Sequence, residues 1–451
     1  MSETLSSSKM PERVVVVGAG LSGLAAATEL RRRGCEVTVL EQSKSPGGRC
    51  AGESLEGFSI ERSLPLLYGS DRRLLNFLAA VRADDMLPLR PVQVAQPYGK
   101  AVQPIDPRSP WRVSRIPAVK LREALRLVRL PRLMSRYRPL LDPEAPEQAA
   151  DWDYRSAADF GSLYFGKTVV DEWMEPALAS YSEPASELSR VVFLLDWLAS
   201  DEGNAGSFLL QGGLHEAARL AAEWLQVRFE RAVTRIEGHA SSSLLQVHTD
   251  SESFEADAVV VATGARIASS IAVPLLSLAE RDVFAELASG PEITLSVALD
   301  RELTGIPQLI RVPRRERSSI RSLLLDPGGP GLRAPMGAGL ATLAASDEFC
   351  RSHAGAPADV VEKALLAELA RIYRRASGRE RFTKLERRAD SVPLFRVGVC
   401  RALRRFQRVQ LDLRAQGRKL YFAGDYLVGP RAENAVASGM RAARACAGEP
   451  G

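Results

Sequence analysis

A chain of 451 residues, 45% hydrophobic and 25% charged, is too long for one compact core and too apolar for wholesale disorder, so two interleaved or consecutive domains are expected. The net charge is only +5, with 52 Arg and 8 Lys against 55 acidic residues, and no nucleic-acid motif accompanies it, so nucleic acid is excluded as a partner. No run of eighteen apolar residues is present, which excludes a transmembrane helix.

The opening MSETLSSSKMPE lacks an apolar h-region, so it reads as a short disordered tail and not as a secretory signal; the expected location is the cytoplasm. Five scattered cysteines with no Cys-x-x-Cys pair fit a reducing compartment. The four histidines pair with nothing at helix spacing, so no metal site is expected.

Residues 14–17 form a continuous β-branched run, as a buried parallel strand requires. Gly18-Ala19-Gly20-Leu21-Ser22-Gly23 follows at once, then an apolar-faced helix capped by Gly34, a second strand over 36–40, and Glu41-Gln42. Strand, glycine turn, helix, strand and acid, in that order, make the dinucleotide fingerprint. Gly18 permits the tight turn, Gly20 lets a pyrophosphate approach the backbone, and Gly23 lets the helix pack on the strand. The helix N-terminus offers its N–H groups and partial positive charge to phosphates. Glu41 stands where a carboxylate accepts from both ribose hydroxyls and repels a 2′-phosphate. The competing reading is a glycine turn with no ligand.

Ser45-Pro46-Gly47-Gly48-Arg49 comes next, where paired glycines allow close backbone approach and the Arg49 fork can neutralise a diphosphate. In this position the segment resembles the second signature of the flavin-containing amine oxidase superfamily, which includes amine oxidases, protoporphyrinogen oxidases, carotenoid and phytoene desaturases and renalase-like proteins. At Glu61-Arg62-Ser63 the chain departs from that family, which usually has glycine where Ser63 stands.

Residues 116–141 are strongly basic, with leucines at helical spacing and cations opposite. Two readings stay open: a membrane-surface helix, or a solvated face on a helix packed by its leucines. The aromatics of residues 151–198 line an apolar cavity or form core. A Gly212-Gly213 turn, a strand over 227–236, a strand pair over 244–250 and 256–261, and Ala262-Thr263-Gly264 then repeat the superfamily's order. By that resemblance Val233 meets adenine. His215, beside the glycine pair, is read as capping or packing locally, with acid–base work as the alternative.

The second excursion, 267–405, predicts a strand over 293–299, a helix over 358–373 and a Gly/Pro-rich loop over 327–335. Residues 392–398, VPLFRVG, resemble the strand before the last cofactor segment of protoporphyrinogen oxidases and desaturases, which makes Phe395 a substrate-side candidate. Residues 419–426 predict a strand ending in Gly424-Asp425, and Glu433-Asn434-Ala435 open a helix of small residues. Asp425 can accept from ribityl or ribose hydroxyls, and the helix start can aim its amides at a flavin N1/O2 edge. Ala435, Ala437 and Gly439 would give the helix room to approach the ring. This stretch is similar to the superfamily's terminal FAD motif, with Arg431 where amine oxidases carry a cage tyrosine.

The resemblance implies an α/β fold: a Rossmann-like FAD-binding domain of glutathione-reductase type, with an interleaved α+β substrate domain. The FAD-binding parts are expected at 1–90, 208–266 and 409–451, and the substrate parts at 91–207, largely helical, and 267–408. It implies an FAD-dependent oxidoreductase with noncovalent FAD, taking hydride from a C–H bond of a largely apolar small molecule, with oxygen or another acceptor reoxidising the flavin. The alternatives are renalase-like oxidation of reduced nicotinamide isomers, or flavin binding without turnover. Arg431 and Phe395 are the expected substrate contacts, and peripheral membrane contact is the further expected partner.

Overall fold

The β-branched run near the N-terminus forms strand β1 (Arg13–Val17), and its four valines are buried, as the centre of a parallel sheet requires. In the computed structural model, which describes residues 10–83, 87–98, 101–104, 116, 118–201, 206–239, 242–303 and 307–449, β1 lies between two parallel neighbours. Strand β2 (Glu36–Leu40) pairs on one side with Val17 opposite Leu40, and Ala258–Val261 on the other with Val17 opposite Val261. Leu420–Phe422 adds the outer strand beside Ala258–Val261. Residues 1–9, the larger part of the expected tail, lie outside the described residues.

Helix α1 (Leu21–Arg32) follows the glycine turn. Arg33 is its cap, and Gly34 at φ 94° is the next residue along. The Cys35 N–H bonds to the Leu30 carbonyl and the Gly34 N–H to that of Arg31, a Schellman ending with the expected Gly34 in its left-handed position. The C-terminal helix Ala432–Cys446 packs along α1: a Cβ at Gly439 would stand 2.0 Å from the Ser22 carbonyl oxygen. Gly439 therefore makes room for α1, which corrects the expectation that it makes room for a cofactor ring.

A three-stranded antiparallel sheet, Val233–Gly238, Leu245–Thr249 and Ser253–Ala256, precedes Ala258–Val261. The strand expected over 227–236 begins only at Val233, because Gln226 and Glu230 take left-handed φ values of 55° and Arg228 bridges to Leu40. The larger sheet has seven strands in the order Glu380–Pro393, Ser289–Leu299, Gly339–Ala345, Ile320–Pro327, Leu309–Arg311, Val94–Tyr98, Ala101–Pro104. Residues 358–372 form the expected helix over this sheet. The expected boundaries near 90, 207 and 408 each fall inside an element. Leu89–Val92 and Ser207–Leu210 pair with each other in one sheet with Leu66–Tyr68, and 408 lies within the helix Val399–Ala415.

A helical segment that includes Leu121–Arg126, Leu130–Tyr137, Ala157–Tyr164 and Arg190–Asp201 falls between Ala101–Pro104 and Ser207–Leu210 in the chain and shares one buried cluster with Val15 and Val17 of β1. Phe160, Phe165, Trp173 and Phe193 are buried here, with Trp173 edge-on to Phe193 at 5.9 Å, so these aromatics are core, while Tyr154 is exposed. Sheets of parallel and antiparallel strands together with packed helices make an α/β fold, as expected. Among the described residues no helix is long and apolar enough to cross a membrane.

Candidate active site

The ends of β1 and β2 open onto a cavity of about 440 Å³. Gly18, at φ 103°, turns the chain beneath it, and a Cβ there would stand 2.9 Å from the Ala262 carbonyl oxygen. A Cβ on Gly23 would lie 1.9 Å from the Gly18 oxygen, so this glycine is required by contact between helix and turn. Gly20 differs: a Cβ there would meet no protein atom within 4 Å, although the residue lines the cavity. It is also the N-cap of α1 and no side chain caps the helix, so the first amides of Leu21 and Ser22 stand at the cavity wall.

Glu41 is buried at the end of β2 and lines the same cavity beside Gln42. Its carboxylate accepts from the Ala19 N–H at 2.7 Å and the Ser43 N–H at 2.9 Å. The Ala19 carbonyl accepts from the Gly47 N–H at 2.8 Å, which draws the second glycine pair onto the first. A Cβ on Gly48 would lie 3.3 Å from the Gly20 Cα. Three chain-distant pieces complete this side of the cavity: Val233, then Ala262-Thr263-Gly264, then Gly424-Asp425 with Arg431 and Ala435.

Arg49 crosses between these pieces, paired with Asp425 and donating at 2.9 Å to the Pro430 carbonyl. Burial pushes the Asp425 carboxyl upward, and the Arg49 guanidinium pulls it back. Burial also pushes the Cys50 thiol up to about 12, so this cavity-lining sulfur stays protonated and is no nucleophile. Ser63, at the departure from the family pattern, accepts from Arg388 Nη2 at 3.0 Å and donates to the Arg49 carbonyl at 2.9 Å.

The far wall belongs to the seven-stranded sheet, and sequence reasoning did not foresee it. Glu292, Arg311, Arg321 and Arg388 face the cavity from four different strands. The available signal was a charged residue set inside otherwise apolar strands, as in PEITLSV and LIRV. Arg231, whose N–H donates at 2.9 Å to the Glu41 carbonyl, was also missed.

Some expected site residues stand elsewhere. Phe395 is buried in the core with its ring edge-on to Tyr181 at 6.3 Å, away from the cavity. The Glu433 carboxylate accepts from the Arg73 and Leu74 N–H groups at 3.0 and 2.7 Å, capping helix Arg72–Ala80. Asn434 turns inward to accept from the Arg431 N–H at 3.3 Å. Ala19 and Gly23 act through backbone contacts behind the lining. His215 is buried between Glu61 and Glu216, at 3.7 and 3.4 Å, and does not line the cavity. Arg431 does line it, held 3.6 Å from Asp71 and over the Tyr68 ring.

A family model for flavin-containing amine oxidoreductases matches residues 21–447. The chain is 29% identical over 284 residues to a phytoene dehydrogenase of Streptomyces griseus, covering 55% of this chain and 54% of that relative. It is 47% identical over 90 residues to the zeta-carotene-forming phytoene desaturase of Myxococcus xanthus, covering 18% and 17%. The match thus spans about half or less of these curated relatives. Wild-type putrescine oxidase bound to putrescine shares the fold with a TM-score of 0.74 at 19% identity, covering 97% of this chain and 98% of that one. Cyclohexylamine oxidase from Brevibacterium oxydans IH-35A does so with a TM-score of 0.70 at 17% identity, covering 97% and 99%. With the family match running from the first turn of α1 to the last helix, the chain belongs to the flavin-containing amine oxidoreductase family.

Proposed function

We propose that this protein is an FAD-dependent oxidoreductase that binds its FAD without a covalent bond and acts on a C–H bond of a largely apolar small molecule. The observation that carries this reading is Gly20, a cavity-lining glycine whose Cβ direction holds no protein atom, at the uncapped start of α1. An open cradle beside free helix amides fits a diphosphate. Glu41 fits a ribose, since two of its roughly four lone-pair sites are taken by backbone and the rest are open to hydroxyls. Val233 and Ala262 to Gly264 would hold the adenosine side. Asp425, steadied by Arg49, would hold the ribityl side, and the helix amides near Ala435 would meet the ring edge. When bound, the flavin accepts the hydride and passes electrons to oxygen or another acceptor.

The protein's own work is to bind, orient and exclude water. Arg431, buried and kept charged by Asp71 and Asp196, takes the position where amine oxidases carry a cage tyrosine, which speaks against a simple amine as substrate. The FAD-binding part is read as 1–92, 207–266 and 416–451, and the substrate part as 93–206 and 267–415, each of the breaks expected near 90, 207 and 408 being moved to an end of the element it cut. The five cysteines are free thiols, which supports the cytoplasm as its location. A peripheral membrane contact belongs to the same reading, supported by Leu121, Leu125 and Val128, which are 72%, 60% and 52% exposed among exposed arginines.

The test is a visible spectrum of the purified protein, followed by anaerobic additions of protoporphyrinogen, reduced nicotinamides and a simple amine. Flavin bands that bleach with the first support the reading. Bleaching only with nicotinamides moves the activity to the renalase-like alternative, and a colourless protein that refuses added FAD overturns it altogether.

A further inference from the structure

A second cavity, of about 410 Å³, adjoins the first, and Ala179 and Arg321 line both. Ala179 opens the short turn Ala179–Tyr181, and Arg321 lies on the strand Ile320–Pro327. The Arg321 guanidinium is fixed, donating at 2.6 Å to the Ala345 carbonyl and standing 3.5 Å from Glu292. The other shared residue is an alanine, so at that point the partition carries no more side chain than a methyl group.

Size makes the second space relevant to the first. Cavities of about 300–1,000 Å³ hold drug-sized ligands. A flavin dinucleotide is larger than most of these, so a first cavity of about 440 Å³ leaves little room beside such a cofactor. A substrate that brings one part to the flavin must place the rest elsewhere.

The second cavity has the marks of a built site. Two residues that line it, Ser182 and Arg317, hold left-handed φ values of 54° and 45°, a conformation that residues with a Cβ keep only where the surroundings enforce it. Ser182 is buried, and its hydroxyl has no hydrogen-bond partner among the described residues. A hydroxyl left in that state costs free energy, which a ligand group able to donate or accept recovers.

The buried charges of this cavity are already matched. Glu175 stands 3.4 Å from Arg314 and accepts from the Ala185 N–H, Asp347 accepts from Arg314 at 2.7 Å, and Glu183 accepts from Arg396 at 2.8 Å. Arg317 and Glu348 also line it, but they are exposed to solvent and of opposite sign. A charged ligand group would have to break one of the buried pairs or be desolvated without a partner, whereas an uncharged one leaves them intact.

We infer that the second cavity is a far subsite for the substrate, reached from the first cavity past Ala179, and that the substrate is an elongated, largely apolar molecule whose far end carries an uncharged hydrogen-bonding group, a hydroxyl or a carbonyl. The inference rests on the oxidoreductase reading above and narrows its substrate class. Ala179 sets the length that can be accepted, and Ser182 meets the polar end.

The test uses the flavin-loaded full chain titrated with 1-decanol, 1-pentanol, decanoate and decylamine, read by perturbation of the flavin bands and by calorimetry. Decanol is expected to bind more tightly than either charged ten-carbon analogue. Ala179→Phe should weaken decanol by about tenfold or more while leaving flavin content and pentanol affinity unchanged, since the longer chain loses the burial of its far methylenes. Ser182→Ala should weaken decanol by about fivefold and pentanol not at all. Unchanged decanol affinity in Ala179→Phe overturns the inference, and so does an equal loss of decanol and pentanol, which would confine both to the first cavity. Loss of flavin in Ala179→Phe would assign the alanine to the cofactor and overturn it as well. Tighter binding of decanoate or decylamine than of decanol overturns the uncharged end. Should Ala179→Phe fail to fold, Ser182→Ala and the ligand series on the unaltered protein still decide. A colourless protein would overturn the oxidoreductase reading, while calorimetry would still report whether Ala179→Phe separates the long probe from the short one.

Discussion

The Glu41 carboxylate accepts a 2.7 Å hydrogen bond from the Ala19 N–H and so ties the end of β2 to the glycine turn that follows β1. The residue expected to hold a ribose therefore also holds the turn in shape. Glu41→Ala removes both functions, and FAD affinity should fall by roughly 1.5–3 kcal/mol, the range for hydrogen bonds to a charged group. Glu41→Gln keeps one acceptor and should lose less. Titrating FAD into the apoprotein measures both, and unchanged affinity in Glu41→Ala would remove this residue from the site.

Gly20 and Gly23 stand in one motif for opposite reasons. A Cβ at Gly20 meets no protein atom within 4 Å, and its φ of −70° suits any residue, so Gly20→Val should fold with nearly unchanged thermal stability yet purify colourless. A Cβ at Gly23 would lie 1.9 Å from the Gly18 oxygen, so Gly23→Ala should lose about 1–3 kcal/mol of stability through overpacking. Melting curves and flavin absorbance separate the two. A yellow Gly20→Val protein would contradict the diphosphate cradle.

The contrast shows what a sequence carries. The fingerprint over residues 13–41 was legible because each residue type there answers a local need: β-branched strands, a glycine turn, a helix stop and an acid at a strand end. The wall of Glu292, Arg311, Arg321 and Arg388 was not, because its four members sit on four strands and meet only through the order of the seven-stranded sheet. Phe395 and Glu433 misled for a related reason. Their motifs gave the right neighbourhood but not the direction of the side chain, which packing against Tyr181 and the start of helix Arg72–Ala80 decides.

Leu121, Leu125 and Val128 stand out of the core while Leu127, Leu130, Met134 and Tyr137 of the same segment are buried. Both readings of the basic stretch thus have residues behind them: one apolar face packs inward, and three apolar side chains remain outside beside Arg122, Arg126 and Arg129. In flotation with vesicles containing an anionic lipid the protein should rise with the lipid, and added salt should weaken the effect. Leu121→Asp combined with Leu125→Asp should leave it at the bottom with its flavin spectrum intact. Sedimentation of the unaltered protein away from such vesicles would end the membrane proposal.

Glu433 gives a prediction on pH that does not depend on any ligand. Burial, and then the neighbouring Asp71, raise its carboxyl from 4.5 to about 7, against the pull of the Leu74 and Arg73 amides and of Arg431. The folded protein therefore keeps on this carboxyl a proton that the unfolded chain has released, and it does so between pH 4.5 and about 7. A raised acid contributes stability that is complete below its unfolded value and is lost as pH climbs through its folded value. Glu433→Gln, neutral throughout, escapes that loss and still offers one oxygen to the start of helix Arg72–Ala80. Unfolding of both proteins in denaturant at about pH 4.5 and about pH 8 should show the glutamine variant gaining on the unaltered protein as pH rises. A stability difference that stays constant between the two conditions would mean that Glu433 is ionised at both, held by the helix amides despite its burial.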